Sequence, residues 1–243
     1  MKRALITGAN KGIGLETARQ LLQHNYFVYL GSRDGQRGQQ AVEQLQADGY
    51  AHVELLELDV TDSASIAAAR HAVGQQTPAL DVLVNNAGIS GGYPQPALTT
   101  PLRTFQEVFA TNVFGAVAVT QAFYDLLARS AAPRIVNVSS GLGSLTLQND
   151  PSWRFYAVKG GVYPPSKTAL NAYTVALAYE LRATPFKVNA VCPGYVDTDF
   201  TDHLGESSTR EAAARVLQAV LLGPEGPSGQ FFGQETNSDR NPW

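Results

Sequence analysis

The sequence predicts an α/β protein: one doubly wound parallel sheet with helices on both faces. Three observations carry that expectation. Short β-rich runs alternate with segments of helical periodicity almost from end to end. Those runs are near-continuous in apolar residues, as strands buried on both faces are. A glycine-rich turn, TGANKGIG at residues 7–14, directly follows the first run and opens the first helical segment. Right-handed crossovers between parallel strands then wind the helices to both sides.

The elements follow in order. ALIT (4–7) is the first strand, and helical periodicity runs over 13–24. FVYLGS (27–32) is the second strand, followed by a helical pattern at 38–49. HVELLELDV (52–60) precedes a helix at 62–76, and DVLVNNA (81–87) precedes a long helical stretch from 104 to 129. RIVNVSS (134–140) and KVNAVCP (187–193) flank a helix at 167–182, and GPEGPSGQFFGQ (223–234) reads as a loop feeding a short last strand. No repeat, low-complexity tract or linker marks a boundary, so a single domain over 1–243 is expected.

Composition narrows the function classes. A chain of 243 residues, 44% hydrophobic, supports a core without metal or disulfide staples. Its formal charge of −3 presents no basic face for nucleic acid or an acidic membrane. Cys192 is the only cysteine, which points to a reducing compartment and to a small buried hydrophobe. The start is too short and glycine-rich for a signal sequence, and no run approaches a membrane span, so a cytoplasmic protein is expected. His24, His52, His71 and His203 are scattered, with no pairing to another ligand expected and no metal implied.

In such sheets ligands sit beyond the carboxyl ends of the strands. Gly8, Gly12 and Gly14 let the chain turn sharply and let backbone approach a pyrophosphate, while the helix N-terminus offers free N–H groups. The bland alternative is a tight turn without ligand. At the end of the second strand, where a dinucleotide site for NAD places an acid, the chain has Ser32 followed by Arg33. With Lys11 in the turn, two cations suit an extra 2′-phosphate, which favours NADPH (NADP+) over NADH. Asp34 complicates the choice if it turns inward, and Arg33 and Asp34 could equally be solvated loop charges.

The stretch YAVKGGVYPPSK (156–167) contains two candidate tyrosine–lysine couples. Residues four apart share a helix face, so Lys167 can lie near the phenol of Tyr163 and lower its pKa toward a useful acid–base range. Pro164 and Pro165 suit a first helical turn and place Tyr163 at the helix entrance. Tyr156 and Lys159 are three apart in a glycine-rich loop and are assigned to a pocket wall or the surface.

Seven motifs in register, TGANKGIG, LDV (58–60), NNAG (85–88), Asn112, VNVSS (136–140), YPPSK (163–167) and PGYVDTD (193–199), resemble the short-chain dehydrogenase/reductase family. The resemblance is greatest to its NADPH-dependent carbonyl reductases, and it implies a Rossmann-type fold. It implies that Asp59 and Val60 border the adenine, that Asn86, Ala87 and Gly88 line the cofactor, and that Thr198 meets the nicotinamide after a turn shaped by Pro193 and Gly194. Asn10, Ile13 and Val196 join these as cofactor contacts; Asn86 is expected to be partly structural. The catalytic set implied is Asn112, Ser140, Tyr163 and Lys167, with Ser139 the structural serine of its pair. The resemblance implies that hydride would pass from NADPH to a carbonyl that Ser140 binds and Tyr163 protonates, with Lys167 tuning Tyr163 and Asn112 supporting a proton relay. About 1–135 would serve the cofactor and 136–243 catalysis and substrate. Ser140 and Tyr163 are 23 positions apart, more than is usual in the family, so NDPSWRFYAVKG (149–160) must loop out, which leaves monomer or homo-oligomer open. Apolar and aromatic wall candidates (89–94, 141–147, Trp153, Phe155, 195–204) fit a small hydrophobic ketone or aldehyde. The competing expectation is a nucleotide sensor on the same fold with little turnover.

Overall fold

The computed structural model describes residues 1–234 and 240–243. Among these residues seven strands, β1 (Arg3–Ile6), β2 (Phe27–Ser32), β3 (Val53–Glu57), β4 (Val82–Asn85), β5 (Arg134–Val138), β6 (Lys187–Val191) and β7 (Phe231–Phe232), form one sheet in the order β3-β2-β1-β4-β5-β6-β7. Every adjacent pair is parallel. Among the described residues eight α-helices accompany it: α1 (Gly12–Gln23), α2 (Gly35–Ala47), α3 (Ser63–Gln76), α4 (Leu102–Phe109), α5 (Ala116–Leu127), α6 (Leu145–Gln148), α7 (Tyr163–Glu180) and α8 (Thr209–Val220).

Alternation along the strands divides the core in two. Ala4 and Ile6 of β1 join Val28 and Leu30 of β2 against Leu21 of α1, Leu45 of α2 and Val216 of α8. Leu5 and Tyr29 face the other way, toward Val73 of α3, Phe123 of α5 and Leu181 beyond α7. Each leucine or phenylalanine so buried contributes roughly 1.5–3 kcal/mol. Both layers meet at β1, which lies between β2 and β4, where the strand order reverses and a crevice opens at the carboxyl ends.

Several boundaries differ from those expected, each for a local reason. The third strand stops at Glu57 because Asp59 turns its carboxylate back onto Thr61 N at 2.8 Å. The fourth stops at Asn85, after which Asn86 N folds back to Val84 O. The second helix begins at Gly35, since Asp34 caps it by accepting from Arg37 N at 3.0 Å. The long stretch 104–129 is two helices separated by a π-helical turn, Ala110–Gly115. Helix α8 is an addition to the expected elements, started by a capping box of Ser208 and Glu211. Helix α7 starts at Tyr163 with both prolines in its first turn, as the spacing requires. Among the described residues no helix is long and apolar enough to cross a membrane.

Candidate active site

The crevice is built first by glycines. Gly8 and Gly12 have φ of +62° and +57°, a region that costs other residues strain. A Cβ on Gly14 would lie 2.5 Å from Asn86 Nδ2 and 2.7 Å from Gly8 O, so α1 presses against the end of β4. Asn86 is the tie between them: its Nδ2 donates to Thr7 O (2.9 Å) and Gly8 O (3.0 Å). The N–H groups of Asn86 and Ala87 donate to Thr7 Oγ1, each at 3.0 Å. Lys11 supplies no side-chain cap to α1 and no acid occupies its first turn. That leaves the N-terminal amides facing the crevice without a carboxylate competitor, as a pyrophosphate requires.

Around this turn the other cofactor candidates divide. Ser32 is buried, its hydroxyl donated to Asp34 O at 2.8 Å, while Asp34 is committed to capping α2. Arg33 is exposed and close enough to Asp59 to hold its carboxyl down. For Asp59, burial pushes the pKa up, but hydrogen bonds from Thr61 and the Arg33 charge outweigh it and the net shift is down. Val60 packs against Gly115 of the π turn, where a Cβ would approach Val60 Cγ2 to 2.7 Å. Lys11, half of the expected phosphate clamp, pairs its Nζ with Asp199 Oδ2 at 2.7 Å. Thr198 caps a short turn at Asp199–Thr201, and its methyl lies 3.6 Å from where a Cβ on Gly12 would be. Gly194 has φ +92°, and Pro193 O accepts from Arg215 Nη1. Val196 is buried and bridges to Ser207. Asn10 and Ile13 are partly buried at the same turn.

At the next strand ends a second group converges. Ser140 lies close enough to Tyr163 to draw the pKa of its phenol downward, and its Oγ accepts from Leu142 N at 3.2 Å. Lys167, one turn along α7, is buried beneath the phenol, with Nζ 5.7 Å from the ring centroid and donating to Val138 O at 2.8 Å. A Cβ on Gly88 would sit 3.4 Å from Asn112 Oδ1 and 3.5 Å from Lys167 Nζ, so Gly88 keeps a gap open between them. Asn112 comes from the π turn, a helical defect that re-aims side chains. Its Oδ1 accepts from Ile89 N (2.8 Å), and its Nδ2 donates to Ile89 O (2.9 Å) and Ser166 Oγ (3.0 Å). Both amide hydrogens are therefore committed. Ser139 is buried and donates to Asn171 Oδ1 at 2.6 Å.

The electrostatics differ from the simple two-residue picture. Burial pushes the Tyr163 phenol above its ordinary pKa, and the neighbouring Ser140 hydroxyl only partly offsets this. Lys167 was expected to lower it; instead burial lowers Lys167 itself, to about 8. Low dielectric disfavours the charged form of each group. At neutral pH the phenol is protonated and the amine largely charged.

The rim is aromatic. Phe200 lies 5.4 Å from the Tyr163 ring, and Trp153, Phe155 and Tyr195 form a chain of edge contacts at 5.5 and 5.9 Å. The loop at 149–160 thus packs onto the segment after β6, and Arg154 adds hydrogen bonds to Glu206 at 2.5 and 2.7 Å. Tyr156 and Lys159 lie outside the cluster, as a cation–π pair at 4.2 Å. Gln95 and Ser166 carry no sequence signal of their contacts, which span 68 and 54 residues, whereas Tyr93 and Phe200 lie in segments 89–94 and 195–204 expected to wall the pocket. His203, expected to stand apart, lies between Asp197 (2.7 Å) and Asp199 (3.1 Å). That triad is exposed, and among the described residues no group could hold a metal ion.

Three comparisons agree with this architecture. The family model described as short chain dehydrogenase matches residues 2–209. (-)-Isopiperitenone reductase of Mentha piperita is 34% identical, over 94% of this chain and 95% of that protein. (+)-Neomenthol dehydrogenase of Arabidopsis thaliana is 34% identical over 97% of each. Among solved structures, the NADPH-bound carbonyl reductase from chicken fatty liver superposes with a TM-score of 0.84 at 29% identity, covering 100% of this chain and 99% of that one.

Proposed function

The chain belongs to the short-chain dehydrogenase family, and from that premise we propose that it is an NADPH-dependent reductase of ketones and aldehydes, reversible to alcohol oxidation. The observation that carries the reading is the convergence of Ser140, Tyr163 and Lys167, with the Lys167 amine buried 5.7 Å from the centre of the Tyr163 ring. NADPH suits the crevice for the reasons already given: glycines at positive φ, uncapped α1 amides, and exposed Arg33 and Lys11 where a 2′-phosphate would lie. Gly8, Asn10, Gly12, Ile13 and Gly14 would hold the pyrophosphate side. Asp59, Val60, Ala87, Gly88, Thr198 and their neighbours would line the rest. When bound, the reduced nicotinamide supplies a hydride.

The chain's own residues do the remainder. The Ser140 hydroxyl donates to the substrate carbonyl oxygen as negative charge grows there. Tyr163, kept protonated by burial, donates its proton to the same oxygen. The Lys167 ammonium stabilises the phenolate left behind. The gap at Gly88, between Lys167 and Asn112, is the route by which Tyr163 regains its proton, while the Asn112 amide fixes the π turn in register with α7. The aromatic rim selects small hydrophobic carbonyls, and the chain serves this reaction as a single catalytic domain in the cytoplasm.

The test is cofactor consumption by the pure protein over ketones, aldehydes and quinones, with NADPH and NADH compared. Turnover preferring NADPH is expected, and Tyr163→Phe should lose at least about 100-fold in kcat while still binding NADPH. Tight NADPH binding with no turnover on any carbonyl would make it a sensor instead.

A further inference from the structure

We infer that Gln95 is a positioning residue for Tyr163, holding the entrance of α7 from a loop 68 residues away. A helix leaves its first N–H groups without intrahelical partners. In α7, Pro164 and Pro165 carry none, and Ser166 N donates to Val162 O at 3.0 Å. The amide of Tyr163 is what remains, and Val162 offers no side-chain cap. Gln95 Oε1 accepts that N–H at 2.9 Å.

The rest of the glutamine explains why the contact is rigid. Nε2 donates to Ser90 O (2.6 Å) and Gly92 O (2.7 Å), and the backbone carbonyl accepts from Gly161 N (2.8 Å). At 2% exposure, turning the amide over would set N–H against N–H and oxygen against two carbonyls. A Cβ on Gly160 would come within 2.9 Å of Gln95 Oε1, so the chain before α7 is pressed onto the amide. Gln95 therefore welds the 89–95 loop, which brings Tyr93 close enough to influence Tyr163, to the residue that carries the phenol. A misplacement of about 1 Å at such a group costs on the order of 100-fold in rate.

This inference rests on Tyr163 being the proton donor, and the experiment separates the two. Gln95→Met should lower kcat about 10- to 100-fold with NADPH affinity unchanged, and speed amide exchange in the peptide spanning 160–167. In a Tyr163→Phe background the same substitution should change the residual turnover little, because it acts through the phenol. Wild-type kcat in Gln95→Met, or an equal fold-loss in both backgrounds, overturns the role of Gln95. Wild-type kcat in Tyr163→Phe alone overturns the catalytic assignment. Should Gln95→Met not bind NADPH, Gln95→Glu serves, since it keeps the acceptor and, protonated, one donor. Its kcat should recover toward the wild type as pH falls; a wild-type value at every pH again refutes the proposal.

Discussion

Lys167 places an ammonium in a buried position beside the Val138 carbonyl, and the cost of that burial sets a pH dependence. Its pKa falls from 10.5 in the unfolded chain to about 8 in the folded one, desolvation being the main cause. Between those values the unfolded chain binds the extra proton, so stability rises with pH. Below about 8 the whole penalty is present, roughly 3 kcal/mol. Tyr163 works oppositely: its raised pKa costs stability once the unfolded phenol ionises, above pH 10.0. Urea unfolding of the cofactor-free protein between those limits should show the wild type gaining on Lys167→Met as pH climbs. A constant difference between them would mean that the folded amine keeps its proton as readily as the unfolded one, so that burial does not shift it. In catalysis the same titration means that reduction weakens as pH rises through about 8, when the ammonium supporting the phenolate is lost.

Between elements, tolerance is set by how closely backbones approach. Helix α1 meets the end of β4 at Gly14, where even a methyl would collide with Asn86 Nδ2 and Gly8 O. Backbone cannot retreat as a flexible side chain can, so Gly14→Ala should cost about 1–3 kcal/mol of unfolding free energy. It should also weaken NADPH binding, because the Asn86 tie shapes the turn; an unchanged urea midpoint and affinity would show that α1 shifts freely. The π turn between α4 and α5 is another such fit: Gly115 admits Val60 from the strand-end loop, and the wider turn aims Asn112 at Ile89 and Ser166. Gly91, at φ +77°, similarly brings the 89–95 loop down on Val108.

Over the whole molecule, the proposed cofactor would bridge both halves of the sheet across the reversal at β1 and β4. A ligand that binds the folded state at 100 times its Kd adds about 2.7 kcal/mol. For a chain of this size that raises Tm by about 5–10 °C. NADPH should give such a shift and NADH, at equal concentration, a smaller one if Arg33 and Lys11 meet a 2′-phosphate. Lys11 must leave Asp199 to do so, and exposed pairs of this kind hold each other weakly. Equal shifts from both cofactors would remove the phosphate clamp from the proposal.

The sequence by itself determined the parallel sheet, the glycine turn and the candidate Tyr163–Lys167 couple. Those features are written in short-range patterns: apolar runs, glycines at fixed offsets, and two residues four apart on one helix. Element ends were less legible, since a cap such as Asp34 or a capping box such as Ser208–Glu211 shifts a boundary without altering hydrophobic periodicity. The tertiary structure alone decided what each group meets across the fold. It turned Ser32 inward and paired Lys11 with Asp199. It also brought Gln95 to the amide of Tyr163. It reversed the expected shift on the phenol as well, because burial depends on everything packed around a residue while spacing records only its neighbours along the chain.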